Sequence, residues 1–447
     1  MGSGVVRLRD VVTLNVLMNG RLVGYLRKLP TGAITFQYAE GWLETPGSRP
    51  VSLSLPLKYA AYEGEQVFNF FDNLLPDSER IRARIQARFQ LPSSQPFDLL
   101  AAIGADCVGA IQLCQELLPS RVDVTIAQPL SRAEITKLLK GYRAAPLGMT
   151  EEANDFRISI AGAQEKTALL WHQGQWCRPM DATPTSHIFK LPIGLIADNN
   201  IDLSESCENE WLCLEIAKAF GFATASAQIQ LFEDVKVLVV ERFDRRWSRD
   251  GQWLMRLPQE DMCQALGISS SLKYQADGGP GMADIMRVLL GASTAEVDRE
   301  TFFRSQVLFW LLAAIDGHAK NFSIYIEAGG SYRLTPLYDV ISVYPLMQSQ
   351  AISKQKAKMA MALKGTQKSI YHWHMIQPRH FLLTAKTIAF SQKQAERILA
   401  EMLEQASQIA EQVAENLPAG FPATISEPIL RGMSLLAKQQ LDNRGGV

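Results

Sequence analysis

No run of 18 consecutive apolar residues occurs in the chain, so no segment reads as a membrane-spanning helix. The first seven residues lack the apolar stretch of a secretory signal. Val6 stands where an N-myristoylation signal after Gly2 needs Ser or Thr. Cysteine is sparse. Cys107, Cys114, Cys177, Cys207, Cys213 and Cys263 form no Cys-x-x-Cys pair and no zinc spacing, which points to reduced core thiols in a cytoplasmic protein. An excess of charge of either sign is missing too. With 45 Lys and Arg against 46 Asp and Glu the net charge is −1, so no global basic field draws the chain to nucleic acid. Neither an internal repeat nor a heptad run long enough for a coiled coil is present.

What is present is globular: 47% apolar and 20% charged residues over 447 positions, enough for two or three units with real cores. Alternation over 12–18, 21–26 and 34–38, with Asn19-Gly20 between the first two, predicts a β-meander. Residues 51–57 alternate as well and predict a further strand, ended or placed at an edge by Pro56. Pro76 with Asp77, Ser78 and Glu79 predicts a helix start, and Arg80, Arg82, Arg84 and Arg88 give that helix a solvated basic face. A short helix over 96–103, stopped by Gly104, completes an α+β subdomain over residues 1–118. A helix over 131–142, between Pro129 and Pro146, lies at the junction with the next unit.

From there the character changes. A strand over 156–160 leads into the small-residue turn Ala161-Gly162-Ala163-Gln164-Glu165-Lys166 and a second strand over 167–171. Protein kinases cover ATP phosphates with such a strand–turn–strand, although this segment by itself, with a single glycine, reads better as an ordinary hairpin. Lys190 sits in the apolar strand 187–192, where a lysine needs an anion or an escape to solvent. The helix expected over 204–220 offers Glu205, Glu208 and Glu210 as partners. The strand 235–240 runs into Glu241-Arg242-Phe243-Asp244-Arg245-Arg246, either an adenine hinge or a plain surface ion cluster.

The helical half follows: 257–266, 282–290, and a helix over 301–315 that is apolar nearly all round and therefore buried. It delivers Asp316-Gly317-His318-Ala319-Lys320-Asn321, the Asp-x-x-x-x-Asn spacing of a kinase catalytic loop, where Asp receives the substrate proton and Asn holds Mg²⁺. Asp339, set between apolar neighbours, is placed as a second Mg²⁺ ligand. Residues 348–358 are polar, with Lys354, Lys356 and Lys358. Helices are expected over 381–388 and then after Ser391, which with Gln394 forms a capping box. The second of these carries the apolar stripe Ala395, Ile398, Leu399, Met402, Ala406, Ile409, Ala410 and Val413.

Phosphate loop 160–166, Lys190, hinge 241–243, loop 316–321 and Asp339 occur in the order that a two-lobed kinase requires. The expectation is an α+β, bilobal protein-kinase-like fold. It has an N-terminal mixed α/β lobe, with residues 119–247 as kinase N-lobe, and an all-helical C-terminal lobe over 248–447.

The chain resembles the HipA-type serine/threonine kinase toxins of bacterial toxin–antitoxin modules over almost its whole length. Phe68-Asn-Phe-Phe-Asp-Asn-Leu-Leu-Pro-Asp77, Asn154-Asp-Phe-Arg-Ile-Ser-Ile-Ala-Gly-Ala-Gln-Glu-Lys-Thr-Ala-Leu-Leu170 and Val240-Glu-Arg-Phe-Asp-Arg-Arg-Trp247 carry the resemblance, with Leu257-Pro-Gln-Glu-Asp-Met-Cys263 and Asp316-Gly-His-Ala-Lys-Asn-Phe-Ser323. The family shares the lack of His-Arg-Asp and Asp-Phe-Gly triplets. The resemblance implies an ATP- and Mg²⁺-dependent kinase of glutamyl-tRNA synthetase that halts translation and promotes persistence. It also implies a HipB-type helix-turn-helix antitoxin dimer and, through it, operator DNA. Asp316 is then the catalytic base, and Asn321 and Asp339 hold Mg²⁺. ATP lies against Lys190, Lys166 and the backbone from Ala161 to Glu165, with Glu241, Arg242 and Phe243 at the hinge. His318, Ala319, Lys320 and Tyr338 lie beside the nucleotide. Ser159 matches the family's autophosphorylated serine, whose modification ejects the phosphate loop. Lys386 matches a DNA-contacting segment, but Ala389 and Phe390 follow where another basic residue is expected, so the antitoxin carries most of the DNA affinity. A small-molecule or lipid kinase and a non-catalytic repressor subunit are the competing readings. Retention of Lys190, Asp316, Asn321 and Asp339 speaks against the second.

Overall fold

A computed structural model describes residues 11–116, 122–144, 166–196 and 201–443. The expected strand over 156–160, Ser159 and the turn residues Ala161 to Glu165 lie outside them. Contacts divide the chain into two compact units. One comprises Met1–His187, Asp244–Ser271 and Tyr325–Ser331; the other comprises Ile188–Phe243, Leu272–Ile324 and Tyr332–Val447.

In the first unit the expected meander forms. Val12–Met18, Arg21–Lys28 and Ile34–Tyr38 pair antiparallel, and Ile111–Cys114 and Tyr62–Glu63 extend the sheet at its two edges. Asn19 and Gly20 both take positive φ (47° and 75°), as a tight two-residue hairpin turn requires. Asn19 does more than turn the chain. Its side-chain amide donates to Arg256 O at 2.8 Å and accepts from Arg256 N at 2.9 Å. Leu14, Val16, Leu26 and Phe36 pack with Val67, Phe70 and Phe71 of the helix Glu65–Asp72 and with Leu99, Leu100 and Ile103 of Pro96–Ile103. Gly104 caps the latter helix, as expected.

Two expectations fail here. Residues 51–57 make no strand, only an isolated bridge between Ser52 and Leu55. Their polar groups bind a distant strand–helix segment, Gln259–Asp261 and Met262–Leu266: Leu53 N donates to Glu260 Oε1 at 2.8 Å, and the Ser52 and Ser54 hydroxyls donate to Gln264 O at 3.2 and 2.8 Å. The basic helix starts at Glu79, with Ser78 as N-cap, and Arg82 is not merely solvated but bonds Asp72 Oδ1 at 2.5 Å.

The same unit holds the strands Lys166–His172, Gln175–Pro179 and Ala127–Pro129, with Leu170 and Cys177 packed on Leu254 of the hairpin Arg245–Trp247/Leu254–Arg256. Of the charges at 244–246 only Arg246 is on the surface. Asp244 and Arg245 are buried. Arg245 pairs with Asp106 at 2.8 Å and Asp244 at 3.0 Å, and Arg256 joins Asp106 at 3.2 Å. Asp106 also accepts from Thr185 N and Oγ1 at 3.0 and 2.7 Å, so its carboxylate is satisfied on both oxygens.

In the second unit Val235–Glu241 pairs antiparallel with Ala227–Phe232 and lies beside the strand that ends at Lys190. The helix Ser206–Ala219 packs on this layer through Cys207, which clusters with Ala225, Leu238 and Val240. The helix expected over 301–315 is Ala295–Leu311. It ends early because Ala313 turns left-handed (φ 47°), with Ala313 N donating to Trp310 O at 3.2 Å and Ala314 N to Phe309 O at 2.8 Å. That is the Schellman arrangement usually built on glycine. Phe302, Phe303, Phe309, Trp310, Phe322 and Phe381 are fully buried around the helix. The stripe from Ala395 to Val413 is buried on Gln392–Glu415, capped by Ser391, and a further helix, Ala423–Asp442, packs against it.

The expected all-helical region over 248–447 is corrected: it also contains Leu254–Arg256, Gln259–Asp261, Ser323–Ile326, Tyr332–Leu334 and the hairpin Lys358–Lys364/Ser369–His372. Polarity at the ends of that hairpin hid the apolar Met359 to Leu363 between its lysines. Among the described residues no helix is long and apolar enough to cross a membrane. All the cysteines but Cys114, which is half-buried, lie in the interior as free thiols.

Glu260 offers a pH test of the first unit. It is fully buried, its Oε2 has no hydrogen-bond partner among the described residues, and burial pushes its carboxyl up to about 8 from the ordinary 4.5. Because the folded value is the raised one, the stability contribution is complete below about pH 4.5 and is lost as pH rises through about 8. Glu260→Gln is expected to flatten this loss, gaining more over the wild type at about pH 8.5 than at about pH 5 in denaturant titrations. Equal gains at both pH values would refute it.

Candidate active site

Of the expected site residues, Lys190, Asn321 and Asp339 converge in the second unit around one ammonium group. Lys190 is buried at a strand end, and its Nζ donates to Glu210 Oε1 at 2.7 Å and Asp339 Oδ1 at 2.8 Å. Burial works to strip the proton, but the carboxylates of Asp339 and Glu210 outweigh it, so the Lys190 pKa lies above the ordinary lysine value. Of the three candidate glutamates only Glu210 reaches Lys190. Glu208 pairs with Lys236, and Glu205 accepts from Thr424 at 2.7 Å. One position along the helix, Asn209 exchanges two 2.8 Å bonds with the backbone of Ser342, which follows Asp339 in the chain. Adjacent helix residues thus fix both the lysine and the segment that carries the aspartate. Nothing in the spacing singled out Asn209.

Asp339 has φ +58°, a left-handed conformation that Asp tolerates better than most side chains. The nearby Leu337 is clamped by bonds with Ala223 and Ala225 at 2.9 and 2.8 Å. The turn at Asp339 leaves its carboxylate between Lys190 and Asn321, whose Nδ2 lies 3.3 Å from Asp339 Oδ2. Asn321 Oδ1 accepts from His318 N at 3.1 Å and retains a second lone pair.

The loop 316–321 is tight. His318 N donates to Asp316 O at 2.8 Å, Asn321 N to His318 O at 3.0 Å and Ala319 N to Lys273 O at 3.3 Å. Gly317 is required there: a Cβ would stand 2.2 Å from the ring of buried Phe309. Asp316 is exposed, and its Oδ1 accepts from the Tyr274 hydroxyl at 2.6 Å. The Tyr274 ring meets His318 edge-on, with centroids 5.0 Å apart. Sequence reasoning passed over Tyr274 because it lies 42 positions from Asp316 in an irregular stretch. Tyr338 donates to Lys320 O at 2.7 Å and shares a 2.5 Å bond with Ser323 Oγ.

The ring of Phe243 lies 5.5 Å from that of Tyr338, beside Leu238 and Val240. Glu241 N donates to Ser226 O at 2.8 Å, so a ligand contact from the Glu241 backbone falls to its carbonyl. Arg242, Ala319 and Lys320 are buried. Lys166 opens its strand in the first unit, and Lys386 is exposed in the last turn of Pro378–Thr387, away from the cluster in sequence and element.

Comparison with known proteins matches residues 158–410 to the HipA-like C-terminal domain and residues 14–114 to the HipA N-terminal domain. A putative kinase, Y4mE, of Sinorhizobium fredii is 33% identical over 346 residues, which cover 75% of this chain and 79% of that one. The serine/threonine-protein kinase toxin HipA of Shewanella oneidensis is 28% identical over 348 residues, covering 74% and 75%. A solved structure of the toxin–antitoxin system HipA, HipB and operator DNA from Shewanella oneidensis contains a chain of the same fold. Its TM-score is 0.79, at 21% identity and with 96% and 98% of the two chains covered.

Two substitutions test the loop. Tyr274→Phe removes the hydrogen bond that orients Asp316 and is expected to lower kcat about tenfold with KM and far-ultraviolet circular dichroism unchanged. An unchanged kcat would remove Tyr274 from the site. Gly317→Ala forces a methyl group into Phe309 and is expected to cost about 1–3 kcal/mol in chemical unfolding.

Proposed function

The chain belongs to the HipA family, and from that premise we propose that it is an ATP- and Mg²⁺-dependent serine/threonine protein kinase acting as a toxin. The observation that carries this reading is the Lys190 ammonium held between Glu210 and Asp339, with Asn321 alongside. Asn321 and Asp339 fit Mg²⁺ as donors. They offer hard oxygens, and among the described residues no cluster of three His, Cys, Asp or Glu forms an all-protein cage. Mg²⁺ characteristically takes one or two side-chain oxygens together with substrate phosphates and water.

In this reading bound ATP with Mg²⁺ supplies the phosphoryl group and the charge neutralisation for its transfer. Asp316, exposed and held by Tyr274, orients the acceptor Ser or Thr hydroxyl and takes its proton as the new O–P bond forms. Lys190 exchanges part of its pairing with Asp339 for phosphate oxygens while Glu210 keeps it in place. Phe243 and the Glu241 carbonyl border the adenine, and His318, Ala319, Lys320 and Tyr338 line the loop beneath the nucleotide. The resemblance assigns the phosphate loop to Lys166 and residues 161–165.

Ser159 is the autophosphorylation site. A doubly charged phosphate at a strand–loop junction repels the buried packing that an active phosphate loop needs. The protein substrate is glutamyl-tRNA synthetase, and the chain represses its operon together with a HipB-type helix-turn-helix antitoxin dimer, which carries most of the affinity for operator DNA. The Shewanella complex of HipA, HipB and operator DNA supports the partner assignment.

Mass spectrometry before and after incubation with ATP and Mg²⁺ tests the reading. One added phosphate on the Ser159 peptide is expected in the wild type. Asp316→Asn and Asp339→Ala should each reduce its rate by about 10²–10⁴-fold. Full activity in both variants would overturn the site; no phosphate and no nucleotide binding in the wild type would favour an inert repressor subunit.

A further inference from the structure

Between Asp339 and Glu396 the chain contains no aspartate or glutamate, although the whole molecule carries a net charge of only −1. The centre of this acid-free segment is the hairpin Lys358–Lys364/Ser369–His372, with Lys358, Lys364 and Lys368 exposed on it and Lys354 and Lys356 exposed just before it. Among the described residues none of these lysines pairs with a carboxylate.

The hairpin is attached directly to the candidate base. Ala360 N donates to the carbonyl of Ile315, the residue before Asp316, at 2.8 Å. Ala362 N donates at 2.7 Å to the side chain of Gln275, the residue after Tyr274, and Tyr274 itself holds Asp316. The inner strand of the hairpin is therefore fixed against the segments that carry Asp316 and Tyr274. One carboxylate, Asp277, is exposed on the turn packed against this strand, and the lysines outnumber it. The inner edge of the hairpin is occupied by these bonds and by Lys364 N to Thr384 Oγ1 at 2.8 Å. Its outer strand, Ser369–His372, is paired with no third strand among the described residues.

We propose that this hairpin is the docking platform for the protein substrate, and that its lysines select an acidic segment flanking the acceptor hydroxyl. The proposal rests on the kinase reading above. Charge complementarity argues for an acidic occupant. The open strand edge argues for polypeptide over nucleic acid, because an extended peptide adds main-chain hydrogen bonds there.

Two measurements on the full chain test it. The first is kcat and KM for serine acceptor peptides flanked by glutamates or by matched glutamines. The second is fluorescence anisotropy of the same peptides with the Asp316→Asn chain, which reads docking without phosphate transfer. The glutamate peptide is expected to show KM and Kd lower by about tenfold at low salt, a preference that shrinks as salt rises. Lys364→Glu combined with Lys368→Glu should erase that preference in both readouts with kcat retained. Equal constants for the two peptides overturn the proposal. So does a double variant that aggregates or unfolds no differently and keeps the preference, since the lysines would then only guard a strand edge. A duplex oligonucleotide that binds through the same lysines while the peptides remain indistinguishable assigns the surface to nucleic acid and also overturns it. Absence of phosphate on every acceptor, with anisotropy still discriminating, counts against the kinase reading and leaves the docking surface standing.

Discussion

The arrangement of the second unit depends on keeping one charged amine in a dry place. Lys190 lies buried at the end of an apolar strand, where an unpaired ammonium would be untenable, and two carboxylates make it tolerable. The two are not equivalent. Glu210 is almost wholly enclosed, whereas the Asp339 side chain is 42% exposed. Glu210 thus acts as a permanent anchor, and Asp339 as a partner that keeps one face toward solvent and toward whatever binds there. An ion pair with one fixed and one accessible acid is suited to a ligand that brings its own negative charge.

Around that pair the backbone does unusual things in a few places, and each has a local cause. Ala313 ends a buried helix in a left-handed conformation, Gly317 passes against the Phe309 ring, and Asp339 itself is left-handed. The loop 316–321 is therefore over-determined by a rigid aromatic helix on one side and by bonds from Lys273 and the 358–364 strand on the other. The exposure of Asp316 within such a loop keeps a carboxylate available while its backbone has little freedom.

The first unit solves a different problem. Its buried charges, Asp106, Asp244, Arg245 and Arg256, satisfy one another and several carbonyls, including those of Gly109 and Cys107 at 2.8 and 2.9 Å. They tie the turn between Pro96–Ile103 and Ile111–Cys114 to a hairpin more than a hundred residues later. The Asn19 amide on Arg256 adds a second tie to the same hairpin. These groups specify which distant segments meet, a role for which hydrophobic contacts alone are less discriminating.

Much of this was legible in the chain. Alternation with Asn19-Gly20 gives the meander, the 3.6-residue stripe from Ala395 to Val413 gives its helix, and the order of Lys190, Asp316, Asn321 and Asp339 gives the candidate site, because each signal is local or depends only on spacing. The failures are equally physical. Residues 51–57 alternate like a strand but spend their hydrogen bonds on Glu260 and Gln264, and alternation cannot reveal where a partner will be. The hairpin at 358–372 was hidden by its lysines, and Ala313 stops a helix without the usual glycine. Glu210 could not be chosen from three glutamates, nor Tyr274 and Asn209 found at all, because their roles exist only once segments far apart in sequence are brought within hydrogen-bonding distance. Periodicity determined most of the elements, and motif order together with the family resemblance pointed to the kind of chemistry. Which acid meets the lysine, which hydroxyl holds Asp316 and which charges are buried were decided by tertiary packing, since those energies belong to pairs of residues and not to either residue alone.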